Sequence, residues 1–289
     1  MALTRDAAPL RDFELALPMG VVRGLRTGDA GAPRVLALHG WLDNAASFVP
    51  LAPCLPGLDL VAPDLPGHGA SDHLPRGMDY SFAGAVHSVL DIADALGWER
   101  FALLGHSMGA GIASLVAAAC PERVERLVAI EALGALAEEP ERTVERLREA
   151  VVATRGLAGK RLRVFPDLEP AVRARMRANA LQEPAARLLV ERGVRAVDGG
   201  WSGSSDPRLT LPTMVRMTEA QIGNLVAGIT CPAKVLFADP AQPYLPDPVR
   251  RARAALLPAG ELLVLPGGHH LHMEQPDAVA AAIGGFLAG

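Results

Sequence analysis

The stretch "RFALLGHSMGAGIASLVAAACP", residues 100–121, constrains the fold of this chain more than any other. A short apolar run, the pattern of a strand buried on both faces, breaks at Gly105-His106-Ser107-Met108-Gly109, and a run of small residues at helical spacing follows. A serine on so sharp a strand-to-helix turn sits at strained dihedrals, so its neighbours must be small. The helix that starts beside it aims amide N–H groups and a positive dipole end at any charge developing nearby. Ser107 is therefore the candidate nucleophile, and Met108 the first candidate oxyanion donor.

Similar buried-strand runs occur at "RVLALHG", "LDLVAPDLPGHG", "RLVAIEALG", "CPAKVLFADP" and "ELLVLPGG". Helical patterns fall between them, at "SFVPLAPCLP", "SFAGAVHSVLDIADALGW", "PDPVRRARAALLP" and "QPDAVAAAIGGFLAG", while "DFELALP" and "GVVRGLRTG" read as an N-terminal hairpin. Strands alternating with helices predict an α/β fold with a mostly parallel central sheet flanked by helices and right-handed crossovers. From 135 to 227 the buried-strand runs stop, and charged helical stretches precede a Gly/Ser/Trp-rich loop, "VDGGWSGSSDPRLT". The expected organisation is a core over 1–134, an inserted helical cap over 135–227, and the rest of the core over 228–289.

With 28 Lys and Arg against 32 Asp and Glu, the chain has a net charge of −4 and offers no basic face to nucleic acid. The arginines between 142 and 195 are interleaved with glutamates, the pattern of a solvated helical surface. No apolar run approaches the roughly 20 residues that span a membrane, and the N-terminus lacks the apolar core of a signal peptide. Cys54, Cys120 and Cys231 are isolated and odd in number, which fits a reducing cytoplasm.

A serine nucleophile needs a base, an acid and a second oxyanion donor. "LALHGWLDN" ends a buried strand at His39-Gly40, so the amide of Trp41 is the second donor expected, with His39 a structural loop residue. For the base, "LPGGHHLHMEQP" crowds His269, His270 and His272 after the last strand. Two carboxylates compete as the acid: Glu131 ends the strand after the nucleophile, and Asp239 ends the strand after the inserted segment. Asp64 ends a strand as well, in a glycine-rich loop that looks structural, and Asp43 and Asn44 lie close enough to the oxyanion loop to touch substrate or the cap. A metal centre is not expected. "HGASDH" carries Ala70 where a zinc β-lactamase-like hydrolase would need its second histidine, and H-E-x-x-H is absent.

In chain order, HG-x, D-x-x-G-H-G-x-S, G-x-S-x-G, a helical lid, G-H and E-x-P resemble the α/β-hydrolase superfamily. "LHGWLDNAASF", "DGGWSGSSDPRL" and "GGHHLHMEQP" resemble its serine hydrolase-like group. The resemblance implies an α/β-hydrolase fold and a base at His269, counted back from Glu274 and Pro276, with His270 and His272 unassigned. Its usual acid position aligns with Ala241, which carries no acid. Some lidded members, haloalkane dehalogenases among them, take the acid from the strand end occupied here by Glu131, which is preferred over Asp239. The expected activity is acyl transfer without a cofactor, on a small-molecule ester or thioester of a small to medium apolar acid. Carbon–carbon bond hydrolysis, cofactor-free perhydrolysis and ligand binding without turnover remain as alternatives. The oligomeric state is not legible.

Overall fold

A computed structural model describes residues 10–28, 31–157 and 163–289. The N-terminal hairpin is β1 (Arg11–Leu17) and β2 (Gly20–Arg26), followed by β3 (Arg34–Leu38) and β4 (Asp59–Pro63). Then come α1 (Phe82–Ala95), β5 (Phe101–His106), α2 (Met108–Ala119) and β6 (Val124–Ile130). The inserted segment contains α3 (Thr143–Gly156), β7 (Val164–Phe165), α4 (Glu169–Asn179), α5 (Glu183–Gly193), β8 (Val194–Val197), β9 (Gly200–Gly203) and α6 (Glu219–Ala227). The chain ends with β10 (Ala233–Asp239), α7 (Asp247–Ala254), β11 (Gly260–Pro266), α8 (Leu271–Glu274) and α9 (Pro276–Ile283).

Eight strands form one sheet in the order β1-β2-β4-β3-β5-β6-β10-β11. Its first two pairings are antiparallel, and from β4 to β11 every neighbour is parallel. Alternation along the strands divides the core in two. Val35 and Ala37 of β3 pack on one face of the sheet with Phe48, Leu104 and Leu236, whereas Leu36 and Leu38 pack on the other with Leu103, Val116 and Phe237. After β3 the chain first builds β4 on one side and then returns to build β5 on the other. The crevice at the ends of β3 and β5 is therefore a topological switch point, where open α/β sheets place their ligands.

Two expectations are corrected. "SFVPLAPCLP" forms no α-helix; two 3-10 turns, Ala45–Phe48 and Ala52–Cys54, occupy it instead. Three prolines in this stretch, Pro50, Pro53 and Pro56, remove amide donors that a longer helix would need. The inserted segment is also not all helical, because β7, β9 and β8 form a small antiparallel sheet. Those strands are two to four residues long and half-exposed, too short for a hydrophobic period to show.

α4 and α5 have a small core of their own, in which Ala171, Val172, Ala186 and Leu189 pack with Met273 of α8. Met273 belongs to the histidine-rich loop, so the inserted segment rests directly on it. No helix among the described residues is long and apolar enough to cross a membrane.

Candidate active site

Ser107 sits between β5 and α2 at φ 51°, ψ −118°, with its amide donating to the Ile130 carbonyl (2.8 Å). The glycines around it are a packing requirement. A Cβ on Gly109 would lie 2.0 Å from the Leu38 carbonyl oxygen, and one on Gly105 would lie 2.5 Å from Cα of Ala110. α2 therefore approaches the sheet at backbone distance, which directs its N-terminus, headed by Met108, at the site. Helix geometry leaves the first-turn N–H groups without intrahelical acceptors.

The other predicted groups arrive from separate strand ends. His269 follows β11, and Glu131 follows β6 in the left-handed region at φ 62°. His269 Nε2 lies 3.0 Å from Ser107 Oγ, and Nδ1 lies 3.0 Å from Glu131 Oε2. Nδ1–H donates to the carboxylate, which leaves the Nε2 lone pair to accept the serine hydroxyl. Glu131 is itself held in place, because its Oε1 accepts the Ala238 amide at 2.5 Å. The structure thus brings Glu131 to His269. Asp239 is exposed at the end of β10, and its carbonyl accepts the Gly267 amide. No carboxylate contact joins Asp239 to His269 among the described residues.

Sequence reasoning missed Tyr244. Its hydroxyl lies 3.3 Å from His269 Nδ1, and burial together with the nearby Glu131 pushes the phenol up to about 12. It comes from the irregular loop after β10, where no motif or period marks it.

The side chains of His39, Asp64, Asn44 and Trp41 bond to backbone and to the inserted segment. His39 Nε2 accepts the Leu65 amide (2.9 Å), and Nδ1–H donates to the Gly40 carbonyl (2.8 Å). Asp64 accepts the amides of Ala45 (2.7 Å) and Ala70 (2.9 Å) and pairs with Arg192 of α5. Asn44 caps the first 3-10 turn and donates to the Leu189 carbonyl (2.8 Å), so it contacts the inserted segment. Trp41 is exposed, and its indole N–H donates to the Leu209 carbonyl (2.8 Å), also in that segment.

Three other histidines, His106, His270 and His272, are buried together beside the site. His272 Nε2 meets Ser47 Oγ at 2.6 Å, and burial holds its ring well below the usual histidine range. His270 Nε2 lies 3.2 Å from Asp43 Oδ2, and Arg175 of α4 grips Oδ1 of the same carboxylate. Burial opposes ionisation of Asp43, yet the neighbouring imidazoles and the Arg175 guanidinium hold it well below the usual carboxylate range. His106, next to the serine, is fully buried with Nε2 2.8 Å from the His269 carbonyl oxygen. Among the described residues, Asp43, His106 and His270 form a group with one ligand atom each within 4.8 Å of one another.

Residues 33–161 match the family model of the α/β hydrolase fold. A serine hydrolase-like protein of Danio rerio is 32% identical over 286 residues, covering 96% of this chain and 88% of its own. Serine hydrolase-like protein 2 of Homo sapiens is 30% identical and covers 99% of this chain and 97% of its own. The crystal structure of a hypothetical protein from Pseudomonas aeruginosa PAO1 superposes with a TM-score of 0.90 at 41% identity, over 97% of this chain and 99% of that one. With strand order, nucleophile turn and full-length relatives in agreement, the chain belongs to the α/β-hydrolase superfamily, in its serine hydrolase-like group.

Proposed function

We propose that this protein is a serine hydrolase that cleaves an ester or thioester of a small to medium, largely apolar acyl group through an acyl-enzyme. Ser107 Oγ attacks the carbonyl carbon while His269 Nε2 takes its proton, and Glu131 holds the ring's tautomer and steadies the imidazolium. The tetrahedral oxyanion is received by the amides of Trp41 and Met108, each donor contributing about 3 kcal/mol in comparable sites. His269 then returns the proton to the departing oxygen or sulfur. A water activated by the same imidazole releases the acid and restores Ser107. No cofactor takes part. Residues 135–227 act as the cap that sets the acyl pocket.

One observation carries this reading: Ser107, His269 and Glu131, from three different strand ends, are joined by two contacts of 3.0 Å. A fluorophosphonate probe tests it. The wild-type protein is expected to be labelled at Ser107, and Ser107→Ala is expected to stay unlabelled. A folded wild-type protein that takes up no probe would be no serine hydrolase. A panel of p-nitrophenyl esters graded by acyl length then reads the acyl preference.

A further inference from the structure

Beside the nucleophile, the group of Asp43, His106 and His270 contains a buried nitrogen without a partner. His106 Nε2 lies 2.8 Å from a carbonyl oxygen, which can only accept, so this nitrogen carries the hydrogen. The ring is fully buried. Its Nδ1 is buried without a hydrogen-bond partner among the described residues, 3.6 Å from Asp43 Oδ2. That distance is too long for a hydrogen bond, and a buried polar atom ordinarily has a partner. A bound cation would give that nitrogen a partner.

The surroundings are built for one. Asp43 Oδ2 is 3.2 Å from His270 Nε2 and 3.6 Å from His106 Nδ1. Ligand atoms about 2.1 Å from a tetrahedral ion are about 3.4 Å apart, so these two edges bracket the required spacing. The third edge lies within 4.8 Å. Gly40 keeps the space open, since a Cβ there would come within 2.8 Å of Asp43 Oδ2 and 3.0 Å of His106 Nδ1. Arg175 binds the other carboxylate oxygen, Oδ1.

We propose that Asp43 Oδ2, His106 Nδ1 and His270 Nε2 form a buried transition-metal site, with Zn²⁺ as the ion that its two imidazoles and one carboxylate suit best. His270 shifts its proton to Nδ1 to offer Nε2, and His106 already has the required tautomer. A water completes the tetrahedron. Bound to zinc it ionises near neutral pH, so ion, carboxylate and hydroxide sum to no net charge beside Arg175. The site ties the residue before Ser107 to the residue after His269 and leaves the hydrolytic groups themselves uncoordinated. It stands independently of the acyl-transfer reading.

The test uses the full-length chain with any affinity tag removed, stripped by chelator, incubated overnight with Zn²⁺ alone at pH 7.5, and desalted. One zinc per chain is expected by elemental analysis, with a rise of several degrees in Tm. Co²⁺ in its place is expected to give the intense visible bands of a tetrahedral ion. His270→Gln and Asp43→Asn should each weaken binding by about 100-fold or more, and His269→Ala should leave it within about threefold. Wild-type protein that retains no metal overturns the proposal. So does loss of binding in His269→Ala, which would move the ion onto the triad, or unchanged binding in His270→Gln. Should Asp43→Asn fail to fold, with Arg175 left unpaired, the wild-type and His270→Gln measurements still decide.

Discussion

At the scale of single residues, the strand-end carboxylate is what distinguishes this site. Glu131 faces His269 with one oxygen and the Ala238 amide with the other, so its rotamer is fixed from two sides. Glu131→Gln keeps that shape and loses the charge. It is expected to lower kcat on a p-nitrophenyl ester by roughly 10³- to 10⁴-fold, because the amide favours the wrong tautomer and does not stabilise the imidazolium. Asp239→Asn is expected to leave kcat within about twofold. The reverse pattern would show that Asp239 reaches His269 in solution. Ser107 and His269 were legible because each belongs to a motif whose spacing the backbone enforces. Tyr244 was not, since a side chain reaching in from an irregular loop leaves no trace in local pattern. The carboxylate could be narrowed to two strand ends but not decided, because which strand end faces the histidine is a matter of distance across the sheet.

At the scale of elements, the inserted segment is held down by charge as well as by packing. Arg192 of α5 lies over Asp64 at the end of β4, a fully buried carboxylate that also accepts two amides. Arg192→Ala leaves that carboxylate without its counter-charge, and a buried pair broken on one side costs about 3 kcal/mol or more. A Tm lowered by several degrees, read by thermal melting at neutral pH, is the expected result; a change below about 1 °C would mean that solvent already screens the pair. Glu274 acts similarly: its carboxylate accepts the amide of Gln182, the residue before α5 (2.8 Å), while Pro276 opens α9. Asp206, in the Gly/Ser/Trp-rich loop, accepts the Tyr80 hydroxyl (2.8 Å) and pairs with Arg208, which bonds the carbonyls of Pro75 and Met78. The E-x-P and "DGGWSGSSDPRL" patterns, which had no mechanism in sequence, are thus contacts between inserted segment and core. Long, periodic elements such as α1, α2 and β3 to β6 could be read from pattern, whereas the 3-10 turns and the two- to four-residue strands could not.

At the scale of the whole molecule, the buried imidazoles make stability depend on pH. His39 is pushed down to about 4 by burial, and His68, whose ring packs edge-on against it, to about 3. In the unfolded chain each takes a proton near 6.5, so between about 6.5 and 4 the unfolded state binds more protons than the native one. Stability is therefore complete above about pH 6.5 and falls as the pH drops through this window, by on the order of 3 kcal/mol for His39 alone. Chemical denaturation at pH 7.5, 6 and 5 should show the loss. A midpoint that stays constant over that range would mean that these rings are protonated, or wet, in the native state.

The sequence by itself determined the alternation of strands and helices and the sharp strand-to-helix turn at Ser107, since these depend on local sterics and hydrophobic period. Only the tertiary structure decided that Glu131 rather than Asp239 meets His269, that Tyr244 stands beside it, and that His106, His270 and Asp43 are buried together. These residues lie far apart along the chain, and nothing in the sequence between them measures the distance that folding closes.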